Sequence, residues 1–498
     1  MARKKRESSS ESLLREARES FADMDSAEAR LRELWRGDLR FRALEQWPEA
    51  LKRQRQNTSG EPVRPCLVID QVDQYVRQVL NDARQNKPAM KARPVDDKGD
   101  KQVAEALQGL FRHIEDISRA PQAYLTALDF AVTCGRGFFE VVPEYTEYAK
   151  GLQEPRIKRI PNALHVWFDP YCVEMDGCDA MEAFLCAHLS PAAFKRNYPG
   201  AEATSFIDRT HGYGDWIGKE SIRVARWYKV SIGKEPRIVL PDGRRLTEQE
   251  AIEVKPDDFR EEMIEKRTVK LRTISATDVL DETDYPSEYI GIIPVYGNDR
   301  WLSESDRDIY GMVRPAMDPQ RLVNYSTSAM VERIALDPKA PWVTPHAAVT
   351  GHETIWKYAN TSNRAYLPYN HIDGRGEAIP APSRQPMDTN FSGWVQLMGM
   401  AQSGVQASLG MYSASVGAPG NEKSGRAIMA RQREGDVSTF HYVDNLGISI
   451  QHAGRIIMQM LPKLYDVARV ARILGDDGEA SSMLIDPQSP EAYRKVQG

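Results

Sequence analysis

One apolar seam near the carboxyl end limits what this chain can become. Val437, Phe440, Val443, Leu446, Ile450, Ala453, Ile457, Met460 and Leu464 recur every three or four residues, the spacing that lines up one face of an α-helix. Together with the residues before it, the seam predicts a very long helix over 423–466, roughly 60 Å at about 1.5 Å per residue. Gly435, Gly447 and Gly454 are its expected bends. Helices much beyond about 25 residues need something to lie against. The expected cover is sister copies packed side by side in an oligomer, and the alternative is burial within one large monomer.

A chain of 498 residues exceeds the roughly 250–300 at which single cores stop growing, so two or more domains are expected. Hydrophobic residues make up 41% and charged residues 28%, with Lys+Arg 66 against Asp+Glu 71. That balance excludes a disordered chain and gives no sign of a strongly basic nucleic-acid binder. No apolar run approaches the roughly 20 residues that cross a bilayer, and the start "MARKKRESSSESLL" has no signal-peptide core. Cys66, Cys134, Cys172, Cys178 and Cys186 form no C-x-x-C pair, which favours reduced thiols on strands. His165 and His188 invite a zinc reading, but the spacings fit no compact ligand set.

The stretch "GAPGNEKS" at 417–424 is one residue from a phosphate-binding loop. Glu422 stands where the second glycine must let backbone N–H groups close on phosphates, and no buried strand precedes it. Nucleotide binding is therefore a weak reading of this stretch.

Along the chain, Leu13, Leu14, Ala17, Phe21, Ala27, Leu31, Leu34 and Trp35 give an amphipathic helix within 1–60. Val72, Tyr75, Val76, Val79 and Leu80 give another, which Asn86 and Pro88 end before a short strand at 90–95. Helices follow at about 101–117 and 123–132. Gly135 and Gly137 then mark a helix-to-strand turn, the wrong order for a dinucleotide fingerprint. From there to about 295, β-branched and aromatic runs such as "HVWFDPYC", "SIRVARWYKVSI" and "PRIVLPDGRRL" predict strands. Asp169, Glu174, Asp176 and Asp179 lack calcium-loop spacing and read as a turn-rich edge. Asp318 is expected to cap a helix starting at Pro319, with Leu322, Tyr325, Ser326, Ala329 and Ile334 on its face and Asp337-Pro338 ending it. A small insertion over 338–385, with strand-like pieces such as "AYLPY", precedes a further helix near Asn390.

Taken in order, "DLRFRALEQWP", "RPCLVIDQVDQYVRQVLNDARQNKPAMKARPVDD", "AVTCGRGFFEVVPEY", "FDP" with "DGCDAMEAF", "IPVYG", "MDPQRLVNYSTSAMVE" and "NEKSGRAIMARQREGD" resemble the portal (head-to-tail connector) proteins of short-tailed double-stranded-DNA bacteriophages. The likeness runs from about residue 38 to about 470. It implies a helix-rich α+β subunit: a charged helical segment over 1–37, an α+β wing over 38–300, and a first stem helix region at 301–337. A small α/β clip at 338–389, a second stem helix at 390–412 and a tunnel loop at 413–425 follow. A long helix toward the crown at 426–470 and a tail at 471–498 complete it. Some relatives continue into a C-terminal barrel, whereas this sequence reaches "EAYRKVQG" after a Gly/Asp-rich stretch.

The resemblance implies a non-enzymatic ring, typically a dodecamer, assembled in the host cytoplasm and carried at one vertex of the virion. Its expected partners are other copies of itself, viral DNA in the channel, the terminase large subunit, major capsid or scaffolding protein and a tail adaptor, with no cofactor, metal or membrane. The tunnel loop, with Gly417, Gly420, Asn421, Glu422, Ser424 and Gly425, is expected to face the duplex. Lys423, Arg426, Arg431 and Arg433 are the DNA-facing candidates, and Lys339, Trp342 and His346 the docking candidates in the clip. An outward salt-bridged helix face for the arginines and a structural role for Trp342 are the plain alternatives. Rival functions are a nucleotide-hydrolysing packaging enzyme using the degenerate loop, and a monomeric nucleic-acid-binding protein.

Overall fold

The computed structural model describes the chain except residues 1, 57–58, 61–62, 94–100, 147–150, 202–220, 241–244, 247–259, 305, 337–340, 363, 385–390, 412–438, 466–468, 475–479, 486–492 and 496–498. Helices and strands alternate in blocks, as an α+β chain requires. Among the described residues five helices come first: α1 (Ala2–Arg42), α2 (Glu49–Gln54), α3 (Val72–Asn86), α4 (Lys101–Ser118) and α5 (Ala120–Cys134). The β-rich stretch holds β1 (Arg136–Tyr145), β2 (Gln153–Arg159), β3 (Val166–Phe168), β4 (Glu182–Leu189), helix α6 (Pro191–Asn197), β5 (Ile222–Val239), β6 (Arg245–Leu246), β7 (Arg260–Ile274), β8 (Val279–Tyr285), β9 (Ile292–Tyr296), β10 (Asn298–Trp301) and β11 (Arg307–Tyr310). Then come α7 (Val313–Leu336), β12 (Trp342–Val343), α8 (His346–Val349), α9 (Glu353–Lys357), β13 (Ser383–Arg384), α10 (Phe391–Leu409), α11 (Phe440–Leu464), β14 (Arg469–Leu474), β15 (Ala480–Ile485) and β16 (Tyr493–Lys495).

The chain divides into two units. The first holds Met1–Leu39, Val76–Met312 and Asp436–Gly498; the second holds Arg40–Tyr75 and Val313–Gly435. In the first unit an antiparallel sheet of order β3-β4-β5-β7-β8 takes α1 across one face. Leu14, Ala17, Phe21 and Met24 pack there on Trp167, Phe184, Cys186, Ala225, Trp227 and Ile274. The two runs expected as separate strands, "SIRVARWYKVSI" and "PRIVL", form the single strand β5. β5 stays in register with β7 from Ala225↔Ile274 to Val239↔Arg260. The intervening Gly233-Lys234-Glu235 keeps its ladder with β7 instead of turning.

A second sheet, β2-β1-β9, is covered by α5 and α11. Gly135 caps α5 at φ +111°, a left-handed conformation that costs glycine little, and the chain turns there into β1 as expected. A Cβ on Gly137 would overlap the Ala127 carbonyl, so helix and strand touch backbone to backbone. Within α11, Leu446, Ile450, Ala453, Ile457, Met460 and Leu464 are buried. Here the expected cover is corrected: α11 packs against β9, β2, α5 and β1 of its own chain, because those elements already offer an apolar face. Phe440 is exposed, and Val437 with the rest of the proposed long helix before Thr439 lies outside the described residues.

Three further expectations change. Residues 90–93 belong to no strand; side chains of α4 hold this segment instead. Glu115 accepts the Met90 N–H at 3.1 Å, and Gln108 accepts from Ala92 at 2.8 Å while donating to the Met90 carbonyl at 2.9 Å. Helix α7 starts at Val313, earlier than the Asp318 cap, and carries Pro319 inside it. Asp318 pairs instead with Arg321 at 3.0 Å. The pieces expected as strands in "AYLPY" are irregular, and the small region's strand pair is β12 with β13, Trp342↔Arg384 and Val343↔Ser383. The Gly/Asp-rich stretch lies between β14 and β15, strands that periodicity did not reveal.

Candidate functional site

The second unit contains the two helices and the small region expected to form stem and clip. Its α7 departs from the expected face only in part: Ser326 is buried and Ala329 half-buried as expected, and Val313, Ala316 and Val323 join them, but the buried side also carries a row of polar residues. Leu322, Tyr325 and Ile334 are exposed, whereas Gln320, Asn324, Ser326 and Ser328 are each at most 1% exposed. The buried amides and hydroxyl are spent on backbone that has no strand partner. Gln71 N–H donates to Gln320 at 3.1 Å, Ile69 N–H to Asn324 at 2.9 Å, and Leu67 N–H to Ser328 at 2.9 Å.

The match is geometric. Two residues of extended chain advance about 6.6 Å and four residues of helix about 6.0 Å, so alternate N–H groups meet every fourth helical side chain over three rungs. Gln320 also donates to the Ile69 carbonyl at 2.6 Å, and Asn324 to Gln46 at 2.7 Å. Gln46 in turn reaches Asp70 at 2.9 Å, and Asp70 accepts the Val72 N–H at 3.1 Å at the start of α3. One turn beyond the ladder, Arg55 donates to the Pro65 carbonyl at 3.1 Å and to Glu332 at 2.9 Å. The sequence carries a signal for this set: glutamine, asparagine and serine at i, i+4 and i+8 of one helix.

Helix α10 packs on α7, where a Cβ on Gly404 would come within 3.5 Å of the Pro319 side chain, and Thr327 reaches Met398. Its 19 residues contain no charged side chain, yet Val395 and Met400 are exposed, together with the small residues Gly399, Ser403 and Ala407 on the same side.

Of the docking candidates, Trp342 is half-buried; its ring meets Trp356 edge to face at 5.3 Å and carries the Arg384 guanidinium at 5.4 Å. That is the environment of a structural tryptophan. His346 is exposed in the short helix α8 after Pro345. Lys339, Lys423, Arg426, Arg431, Arg433 and the loop residues Gly417, Gly420, Asn421, Glu422, Ser424 and Gly425 all lie outside the described residues.

The carboxylates of 169–179 in the first unit hold a loop together. Asp169 accepts from the Tyr171 and Met181 N–H groups at 2.9 and 2.8 Å, and Asp179 from Val173 at 2.6 Å and from the Cys172 thiol at 2.9 Å. Burial would raise the Asp179 carboxyl, but those donors outweigh it and hold it below its ordinary value. Burial first, then Asp176, pushes the Cys178 thiol up to about 11. The His165 and His188 rings sit edge to face at 5.4 Å, and no group of three or more His, Cys, Asp or Glu among the described residues is placed to hold a metal.

The model of the Phage P22-like portal protein family matches residues 18–497. The chain belongs to that family. A curated relative, the "Portal protein" of Acyrthosiphon pisum secondary endosymbiont phage 1, is 27% identical over 442 residues, covering 83% of this chain and 60% of the relative. This portal-family chain thus spans less than two-thirds of that relative's length. The family match gives the nucleotide-hydrolysing reading of "GAPGNEKS" no support. It does place the buried ladder of α7 inside a portal-family sequence.

Proposed function

We propose that this chain is the subunit of a ring, a dodecamer by family resemblance, that forms the channel for viral DNA at one capsid vertex in packaging and ejection. The observation that carries this reading is the family match over residues 18–497. Its partners are other copies of itself, the duplex, capsid or scaffolding protein, the terminase large subunit and then a tail adaptor. The clip residues Lys339, Trp342 and His346 are the docking candidates, with the Trp342 ring also packed on Trp356 and under the Arg384 guanidinium.

Two physical points support a conduit. Each phosphate neutralised by Lys or Arg adds counterion-release affinity, so an intensely basic lining would hold DNA in place. Lys423, Arg426, Arg431 and Arg433 alternate with Glu422, Glu434 and Asp436, a mixture that permits transient contact. The neutral outer side of α10, with Gly399, Ser403 and Ala407, offers no charge to grip a phosphate and would also accept a closely packed neighbour.

Native mass spectrometry with negative-stain imaging of the purified protein tests the reading. Rings with a central hole are expected; a stable monomer under assembly conditions overturns it. An ATP turnover assay is expected to show no hydrolysis, and robust turnover lost in Lys423→Ala would replace the conduit with an enzyme.

A further inference from the structure

We propose that residues 65–71 act as a register gauge for α7, holding the helix at a single axial position so that any movement of α7 carries this segment with it. Both the segment and α7 lie within the second unit.

The observed pairing is antiparallel: Leu67 with Ser328, Ile69 with Asn324, Gln71 with Gln320. Every member of the helical side is buried, so a displaced helix cannot replace a lost partner with water. If α7 slid one turn so that position 316 faced Gln71, the buried Ala316 would offer that N–H no acceptor. At the other end Ser328 would face Pro65, which has no N–H to donate. Sliding the opposite way would draw Glu332 from Arg55 and Arg64, which it now meets at 2.9 and 3.2 Å. It would also bring Gln320 to the first turn of α3, where Asp70 already serves the amides of Val72 and Asp73. Each slipped register strands a buried polar group. The gauge is written in chemistry at both ends: an alanine where a fourth acceptor would sit and a proline where a fourth donor would sit.

A gauge predicts that the rungs open together. In Ser328→Ala, which removes one hydroxyl, hydrogen exchange read at single amides should accelerate about tenfold at Leu67, Ile69 and Gln71 alike, the loss of roughly one buried hydrogen bond. Exchange in α10, which packs on α7 within the same unit, should stay at its wild-type rate and report that this unit remains folded. Acceleration at Leu67 alone overturns the proposal. A second variant tests the register itself. Ala316→Gln supplies the missing acceptor, and spin labels at Val63 and Leu322, both exposed, in a C66S/C178S background should then report a second distance besides the wild-type one. A single unchanged distance also overturns the proposal. Should Ala316→Gln fail to fold, the exchange pattern of Ser328→Ala decides.

Discussion

Arg136 donates to the carboxylate of Glu28, a residue 108 positions earlier in the chain, and both are buried. The other oxygen of the same carboxylate takes Arg32 at 3.0 Å. Arg32 also donates to the Val166 carbonyl at 2.9 Å and to that of Leu164, while its guanidinium lies 4.0 Å from the centre of the Trp167 ring. One carboxylate therefore serves two guanidinium groups and ties α1 to β1 and β3. Removing it strands two buried cations, whereas a pair exchanged for apolar groups would be nearly neutral. Glu28→Ala is expected to cost about 3–5 kcal/mol, read as a fall in thermal midpoint. Arg15→Ala, whose pair with Glu19 is exposed on both sides, should leave the stability within about 0.5 kcal/mol of wild type.

His452 in α11 gives the first unit a pH dependence. Burial lowers its pKa from 6.5 to about 4, against the pull of Asp176 at 3.6 Å; Arg455 and Arg267 lower it further, and Tyr289 faces the ring at 5.0 Å. The folded state holds the ring neutral, so the unfolded chain binds the extra proton between the two values. The stabilisation is fully present above pH 6.5 and is lost as pH falls toward about 4. It amounts to roughly 3 kcal/mol on the linkage relation. Hydrogen exchange of α11 amides at pH 7.5 and pH 5 checks this. Protection should fall at the lower pH in the wild type and fall less in His452→Gln.

Backbone crossings at the end of α5 admit no side chain. A Cβ on Gly311 would overlap the carbonyls of Val132 and Thr133, one on Gly297 the Ala131 carbonyl, and one on Gly135 the backbone of Tyr310. These are backbone atoms, which cannot swing aside as a flexible side chain does. Gly311→Ala is expected to cost more than the roughly 1–3 kcal/mol of ordinary overpacking, visible as loss of soluble protein at 37 °C. Gly447→Ala, with open space around it on α11, should be neutral or stabilise by up to about 1 kcal/mol.

Which parts of this could be read from the sequence follows from what periodicity can see. The seams of α1, α3 and α11 were legible because apolar residues at helical spacing were indeed the buried ones, such as Leu14, Val76 and Ile450. Within α1, however, Ala27 and Leu34 are exposed while Glu28 and Arg32 occupy the buried row. A charge on an apolar face reads as a break unless its distant partner, here Arg136, is known. Likewise Glu140 within "GFFEVV" is buried because Arg226 and Tyr228, both at 2.7 Å, meet it from β5. The face of α7 was misread in part for the same reason: Ser326 is buried as expected, but hydrophobicity also picked the exposed Leu322 and Tyr325, and the backbone at 67–71 takes Gln320, Asn324 and Ser328. What covers α11 was misassigned because a seam states only that something apolar lies opposite. Its owner is a matter of tertiary contact.

The loop at 169–181 turns the cysteine chemistry into a measurable ordering. The Cys172 thiol donates to Asp179 at 2.9 Å and is buried, and burial with that carboxylate raises its pKa far above 9.0. Cys178 is half-buried and raised to about 11. Thiolate is the reactive form, so at pH 7.5 both thiols should alkylate slowly in the folded protein. At about 11, the thiolate fraction of Cys178 is roughly a hundredfold below that of a thiol at the ordinary 9.0. Asp179→Asn keeps the shape of the side chain but replaces one acceptor oxygen with an amide and removes the charge that opposes ionisation. It also weakens the bonds to the Val173 and Glu174 amides. Iodoacetamide labelling followed by mass spectrometry should show Cys172 modified faster in Asp179→Asn than in wild type, while Cys186, fully buried on β4, stays protected in both. Equal rates for Cys172 in the two proteins would mean that the carboxylate does not hold this loop.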